Sequence, residues 1–284
     1  MEPNYKPSIV AVTWDGVSPA LSHIFQDVPP QFEILLFDNT GKADKALFAH
    51  LPIKHYISHK TECKGDIIEH IYYYFQNNTN HLPANYKYIG IIDDDVYFSV
   101  SDLNKLLFLA NLEELDVFQA SLSHDGVNSH RQLVHKAGVI IQETLWVEIM
   151  APFYDMEIFM AAGPYYQHSI SGQGIDVYLI PTLQRILKKN KTAVVHAVQM
   201  KHRRPFRTDF RRFVNGKDNL TEINDIKNIC YQLASEHKEL FDQAFFDNIL
   251  DIKYIRAIPL KKKLKRIKPM LKNLYSLIVD ASYR

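Results

Sequence analysis

Tyr86-Lys87-Tyr88-Ile89-Gly90-Ile91-Ile92-Asp93-Asp94-Asp95 is the stretch on which the fold turns. Tyr86–Ile92 is rich in β-forming residues and predicts a strand, which runs straight into three carboxylates. In an open α/β sheet, ligands bind beyond the carboxyl ends of the strands. Adjacent carboxylates there repel one another unless a cation sits among them. A hard ion, Mg²⁺ or Mn²⁺, suits such a place, held by one or two carboxylates while substrate phosphates complete its shell. Strand alternation turns Asp93 and Asp95 to one side and Asp94 to the other, an Asp-x-Asp geometry. A solvated acidic turn leading into the helix at Ser101 is the competing explanation.

The flanking sequence supplies the rest of an α/β pattern. Ser8–Trp14 and Phe32–Phe37 are apolar, β-rich runs that end in Asp15-Gly16 and Asp38-Asn39-Thr40-Gly41, and Ile53–Ile57 predicts a weaker third strand. Asp66–Gln76 predicts a helix with Asp66 as its cap, and Ser101–Leu109 a second helix opened by Ser101 and Asp102. Asp116–Ser121, a longer Gly138–Ile149 and Thr192–Val198 complete the strands. Asp176–Lys188 is helical in spite of Pro181, and residues 220–250 hold two short helices. The succession predicts a mostly parallel sheet flanked by helices, one domain over residues 1–250, and a tail over 251–284.

Charge divides along the same boundary. The 284 residues sum to a net +1, yet residues 253–284 carry +9 and the remainder −8. Two cysteines, Cys63 and Cys230, exclude a disulfide framework. No apolar run reaches the length of a membrane span, and Met1–Pro7 lacks a signal-peptide core, so a cytoplasmic protein is expected. In the tail, Leu264, Ile267, Leu271, Leu274 and Ile278 recur every three or four residues among lysines and Arg266. A basic amphipathic helix over 260–278 fits peripheral adsorption to an anionic leaflet. Packing onto the acidic body or onto a second subunit remains open at this stage.

A second polar cluster follows the last strand. His202 offers a nitrogen suited to Mn²⁺, and Lys201, Arg203, Arg204, Arg207, Arg211 and Arg212 surround it. Guanidinium groups bind phosphate through paired hydrogen bonds, so the cluster is a candidate diphosphate clamp. A basic RNA-binding loop would call for more interleaved aromatics, and no nucleic-acid partner is expected.

Taken together, the strand with its Asp-x-Asp, the later Gly172-Gln173-Gly174-Ile175-Asp176 and the late strand-histidine resemble a GT-A-fold, Asp-x-Asp-type nucleotide-sugar glycosyltransferase. The run Val147-Glu148-Ile149-Met150-Ala151-Pro152 resembles one in a poorly characterised GT-A-like family, which carries Gly-Trp-Gly-Leu-Asp where this chain has Gln173 in place of the tryptophan. The resemblance implies a GT-A-like, Rossmann-like domain acting on a nucleotide-diphosphate sugar, with UDP as the expected nucleotide. The acceptor is then a hydroxyl of a glycan or lipid-linked molecule, in surface polysaccharide synthesis for example.

Residue by residue, the resemblance makes Asp95 the main metal ligand, with Asp93 reaching the metal through water or the ribose, and His202 the late ligand. Thr13, Asp15, Asp38, Lys64, Asp93, Asp94 and Arg203 are expected around the nucleotide. Asp176 is the candidate catalytic base, because a sugar hydroxyl needs a carboxylate to take its proton; capping the following helix is its alternative. Trp146 and Glu148, on one side of the long strand Gly138–Ile149, are expected to line the acceptor pocket. Two other functions are carried alongside: a non-catalytic sugar-nucleotide-binding or membrane-recruited scaffold, and an Asp-x-Asp phosphotransferase. The latter is disfavoured because Asp93 lies far from the N-terminus and Val96-Tyr97 does not complete its motif.

Overall fold

The computed structural model describes residues 6–16, 28–78, 83–128, 130–204 and 212–248, together with the pair 264–265. Strands β1 (Ile9–Trp14), β2 (Glu33–Asp38), β3 (Ile53–Ser58) and β4 (Tyr88–Ile92) pair in parallel in the order β3-β2-β1-β4. Beyond β4 lie β8 (Phe153–Asp155), β6 (Val117–Leu122), β9 (Thr192–His202) and β7 (Ile141–Glu143). β8 is antiparallel to both β4 and β6, β6 and β9 are parallel, and β7 lies antiparallel to β9. The mostly parallel, helix-flanked sheet expected from the sequence is present.

Period-two alternation splits the strands between two cores. Val10, Val12, Ile34, Leu36, Ile92 and Phe118 face helix α2 (Val100–Glu113) through Leu103, Leu106 and Ala110. Ile9, Ala11, Leu35, Phe37, Ile89 and Ile91 face the other side, against α1 (Lys64–Asn77), α3 (Met156–Ala162), α4 (Ile180–Ile186) and α5 (Asn219–Glu236). Burial on both faces explains why these strands read as continuous apolar runs. A sixth helix, α6 (Gln243–Asn248), follows.

Caps move several predicted boundaries. Ser99 caps α2, its Oγ accepting the Asp102 amide at 3.0 Å, and Glu114 ends the helix at φ 51°. α1 begins at Lys64 after Cys63, so Asp66 lies inside its first turn rather than at the cap. The predicted long strand Gly138–Ile149 is not formed. Only Ile141–Glu143 pairs, and Trp146 and Glu148 lie in the loop that follows, so strand alternation does not place them. Asp176 falls in a π-helical turn, Ile175–Leu179, ahead of α4, where Pro181 occupies the first turn and needs no amide partner.

Strand β9 is longer than expected. Its register against β6 shifts between Ala120 and Ser121, and beyond this bulge it runs on to His202. There it meets β5 (Val96–Tyr97), an antiparallel pair that sets Val96 opposite His202. Of the predicted tail helix, Leu264–Lys265 is described, as a two-residue strand β10 antiparallel to β7; the rest of 260–278 lies outside the described residues. No helix among the described residues is long and apolar enough to cross a membrane.

Candidate functional site

The site forms where β1, β4 and β9 end together. Register alone brings the acids side by side, since Val12 pairs with Ile92 and the next residues of β1 therefore run beside Asp93 and Asp94. Asp95 is placed by the turn into β5, its carbonyl accepting the Arg203 amide at 3.0 Å. The β5–β9 pair then sets His202 Nε2 at 3.4 Å from Asp95 Oδ2.

His202 is buried, and its Nδ1 lies 3.3 Å from the Val127 carbonyl. A carbonyl only accepts, so Nδ1 carries a proton, which leaves Nε2 to donate to Asp95 when the ring is charged or to offer its lone pair to a metal when the ring is neutral. Burial lowers the affinity of this imidazole for a second proton, but the Asp95 carboxylate and the Val127 carbonyl outweigh it and raise the pKa. Such carbonyl-fixed histidines are the usual form of a metal ligand. Among the described residues no three His, Cys, Asp or Glu converge as a metal-holding group. The donors present, one imidazole nitrogen and the Asp95 oxygens, would suit Mn²⁺ or Mg²⁺ if phosphate and water supplied its remaining positions.

The other two acids of the triplet have different partners. Asp93 forms an ion pair with Lys64 Nζ, which also donates to the carbonyls of Ile91 at 3.0 Å and Met150 at 3.4 Å. Lys64 is buried, so its ammonium lies beneath the triplet. Burial pushes the Asp93 carboxyl up, Lys64 opposes it, and Asp95 adds to the rise. Asp94 turns toward the end of β1. Arg204 bridges it to Asp15, at 3.4 Å from Asp94 Oδ2 and 2.5 Å from Asp15 Oδ2. Burial and the nearby Asp15 push the Asp94 carboxyl up to about 7 against the pull of Arg204.

Among the described residues Arg204, one residue beyond the expected Arg203, is the arginine that pairs with these acids. Arg203 lies over the Tyr97 ring, 3.8 Å from its centroid. Nothing in the Arg203-Arg204 dipeptide distinguishes the two; the antiparallel β5–β9 register does. Arg207 and Arg211 lie outside the described residues.

Thr13 is buried in β1. Asp38 is wholly buried, and its oxygens are taken up by its own neighbourhood: the amides of Thr40, Lys42 and Ala43 and the hydroxyls of Thr40 and Ser58, all at 2.6–3.1 Å. Those donors hold its carboxyl below the ordinary range although burial opposes them. Asp38 thus shapes the loop after β2.

Asp176 and Glu148 belong to segments tied to the triplet through the backbone, the Asp93 amide donating to the Met150 carbonyl at 3.0 Å. Asp176 and Glu148 are both buried. The Ile149 amide lies 3.3 Å from Asp176 Oδ2, tying the π turn to the loop that carries Glu148. Burial first, then the Glu148 charge, push the Asp176 carboxyl up to about 7, while amides including that of Ile149 pull the other way. Asp176 does not cap α4, whose preceding residue is Leu179 in helical conformation. Trp146 has other neighbours. It stands edge-on to His130, with centroids 4.7 Å apart, and lines a separate cavity of about 270 Å³ with Tyr178, Pro181, Phe241 and Phe245.

The chain matches no protein-family profile and no curated protein sequence. Solved structures do share its fold. The crystal structure of S. aureus TarS 1-349 in complex with UDP-GlcNAc aligns with a TM-score of 0.55 at 14% identity, over 86% of this chain and 70% of that one. GalNAc-T7 with UDP, GalNAc and Mn²⁺ aligns with a TM-score of 0.57 at 11% identity, over 90% of this chain and 54% of that one. At such identity the likeness is one of architecture, and that architecture is GT-A-like.

Proposed function

We propose that the chain is a metal-dependent glycosyltransferase that moves a sugar from a UDP-sugar to a hydroxyl of a glycan or lipid-linked acceptor. The observation that carries this is the meeting of Asp95 and His202 at the ends of the parallel strands, with the imidazole fixed by Val127. Both neighbours described above were solved with UDP or a UDP-sugar, and one with Mn²⁺, in the same architecture.

Asp95 and His202 would hold Mn²⁺ or Mg²⁺, which when bound supplies positive charge to the leaving diphosphate. Arg204, with Arg203 beside it, supplies further cations on the same side. Thr13, Asp15 and Asp94 border the space for the nucleoside, Asp38 holds the loop beside it, and Lys64 fixes Asp93. Asp176, poised near neutrality, is the base. As the acceptor oxygen bonds to the anomeric carbon, the carbon–oxygen bond to the diphosphate breaks. The acceptor proton passes to Asp176, and the product is inverted. Glu148 keeps the Asp176 proton affinity high and lies where an acceptor hydroxyl arrives. Adsorption of the 260–278 segment to an anionic membrane would bring the enzyme to a lipid-linked acceptor.

A thermal-shift series with UDP, with and without Mn²⁺, followed by donor-hydrolysis and transfer assays, tests this. Stabilisation by UDP that needs the metal, and turnover lost in Asp95→Ala, is the expected result. Full activity in Asp95→Ala overturns the metal-dependent mechanism. Metal-dependent UDP binding without turnover across a donor and acceptor panel identifies a non-catalytic nucleotide-sugar-binding protein instead.

A further inference from the structure

Glu222 lies in the first turn of α5 and is completely buried. A carboxylate so placed must find donors. Its own helix does not supply them, because Asp218 caps α5 by accepting the Thr221 amide at 2.8 Å. Glu222 instead reaches across to the loop that precedes Asp176. Its Oε1 accepts the Ile170 amide at 3.0 Å and Asn215 Nδ2 at 2.9 Å, and its Oε2 accepts the Ser171 amide at 2.9 Å.

The same loop is gripped from its other side. The Ile170 carbonyl accepts the Gly65 and Asp66 amides at 3.0 and 3.3 Å, at the start of α1. The approach is so close that a Cβ on Gly65 would fall 1.7 Å from the Ser169 carbonyl oxygen. Inside the loop, Ser169 Oγ donates to the Gln173 carbonyl at 3.0 Å, and the Gln173 amide donates to Ser171 Oγ at 3.1 Å. The π turn hangs from its end, the Tyr178 and Leu179 amides both bonding the Gly174 carbonyl at 3.0 and 3.1 Å.

We propose that Glu222 is a positioning residue for Asp176: by clamping Ile170 and Ser171 it fixes where the π turn begins and keeps the Asp176 carboxyl buried against Ile149. Its catalytic meaning rests on Asp176 acting as the base, whereas the positioning itself does not. The geometry argues against a merely local role. All three donors come from outside α5, and two of them are backbone amides of one loop, five and six residues ahead of Asp176. Substitution removes the acceptor of the buried Ser171 amide and of the part-buried Ile170 amide, so the loop must shift to re-pair them.

The test is a carbon-13 NMR titration of the Asp176 carboxyl in the wild type, Glu222→Gln and Glu222→Ala, with folding checked by circular dichroism. The wild type is expected to titrate near 7. Glu222→Ala lets water reach the carboxyl and lowers its midpoint by at least about one pH unit, toward the ordinary value of about 3.9. Glu222→Gln, which keeps one acceptor oxygen, gives a smaller shift in the same direction and remains informative if the alanine variant does not fold. In transfer assays kcat falls about 10- to 100-fold in Glu222→Gln, while Mn²⁺-dependent UDP affinity is unchanged. A folded Glu222→Gln whose Asp176 titrates as in the wild type overturns the proposal, even if its melting temperature falls. A wild type that titrates as stated yet transfers no sugar overturns the transferase function and leaves the Glu222 assignment standing.

Discussion

His202 Nε2 stands 3.4 Å from Asp95 Oδ2 while Nδ1 of the same ring faces the Val127 carbonyl at 3.3 Å. A histidine that merely filled the core would need no such division of labour between its nitrogens. Here the carbonyl fixes one tautomer and leaves the other nitrogen directed at a carboxylate, in a turn where negative charge is otherwise concentrated.

His202→Ala and Asp95→Ala should each abolish the Mn²⁺-dependent part of UDP binding. Saturating ligand at about 100 times Kd stabilises a protein by about 2.7 kcal/mol, a shift of several degrees in melting temperature. Both variants should lose that shift, read by differential scanning fluorimetry, while their metal-free melting stays near the wild type. A retained Mn²⁺-dependent shift in either variant removes that residue from the ligand set.

Transfer should rise with pH as Asp176 ionises, with a midpoint near 7, because only the carboxylate can accept the acceptor proton. Stability runs the other way. The folded pKa lies above the unfolded one, so the native state binds the extra proton and stability declines as pH rises from about 4 to 7. Asp176→Asn should therefore melt higher than the wild type at pH 8 and show little difference at pH 4. Its transfer rate should drop about 10²- to 10⁴-fold. Equal melting of the two proteins at pH 8 would show that the carboxylate carries no burial penalty.

At the opposite end of the sheet, Glu33 accepts hydrogen bonds from Tyr86 Oη at 2.6 Å and His55 Nε2 at 2.8 Å, and pairs with Lys54. These partners hold its carboxyl at about 2, though burial opposes them. Its stabilisation is complete above about 4.5 and fades as pH falls toward 2. Glu33→Gln should cost about 1–3 kcal/mol at pH 7 in urea unfolding and nearly nothing at pH 2. A pH-independent cost would point to lost packing instead.

Gly65→Ala should be among the most damaging single changes, because the obstacle is the Ser169 carbonyl oxygen and not a movable side chain. A loss above about 3 kcal/mol is expected, or failure to fold. Gly138→Ala is the control: nothing lies within 4 Å of its added Cβ, and its φ of 75° leaves only backbone strain, about 1 kcal/mol. Comparable costs at the two positions, measured by urea unfolding, would mean that the α1–loop contact is looser than it is drawn.

The sheet was legible because its strands are apolar on both faces and end in unmistakable turn residues, as Tyr88–Ile92 does before the triplet. The misread segment, Gly138–Ile149, is equally apolar, but its apolar side chains fill a loop: Trp146, Val147 and Met150 pack into the cores without pairing. Hydrophobic runs report burial, and a ladder needs a partner strand that composition does not name. Residue type and position at element ends single out Asp95, His202 and Asp176, of which the structure brings Asp95 and His202 together. Glu222 carries no such signal, and Arg204 stood in the expected basic cluster without its pairing to Asp15 and Asp94 being readable. Each acts on backbone or carboxylates more than 50 positions away, and Glu222 sits in a helix whose sequence gives no sign that its first-turn acid is spent elsewhere. Asp38 shows the converse: a well-placed acid whose oxygens turn out to be employed in its own loop.

The short β5–β9 pair has a consequence for the order of assembly. Asp95 and His202 are contributed by opposite halves of the chain and are brought together by Val96 and Tyr97 paired with His202 and Lys201 and by the Arg203 amide bonding the Asp95 carbonyl. Closing a loop of that length is entropically costly, so the contact belongs among the late events of folding. No fragment ending before β9 can contain the pair, and a nascent chain acquires it only when β9 has been inserted beside β6. An ion that needs both side chains would then act as a fastener applied after the sheet is built, and its binding would report that the protein is finished.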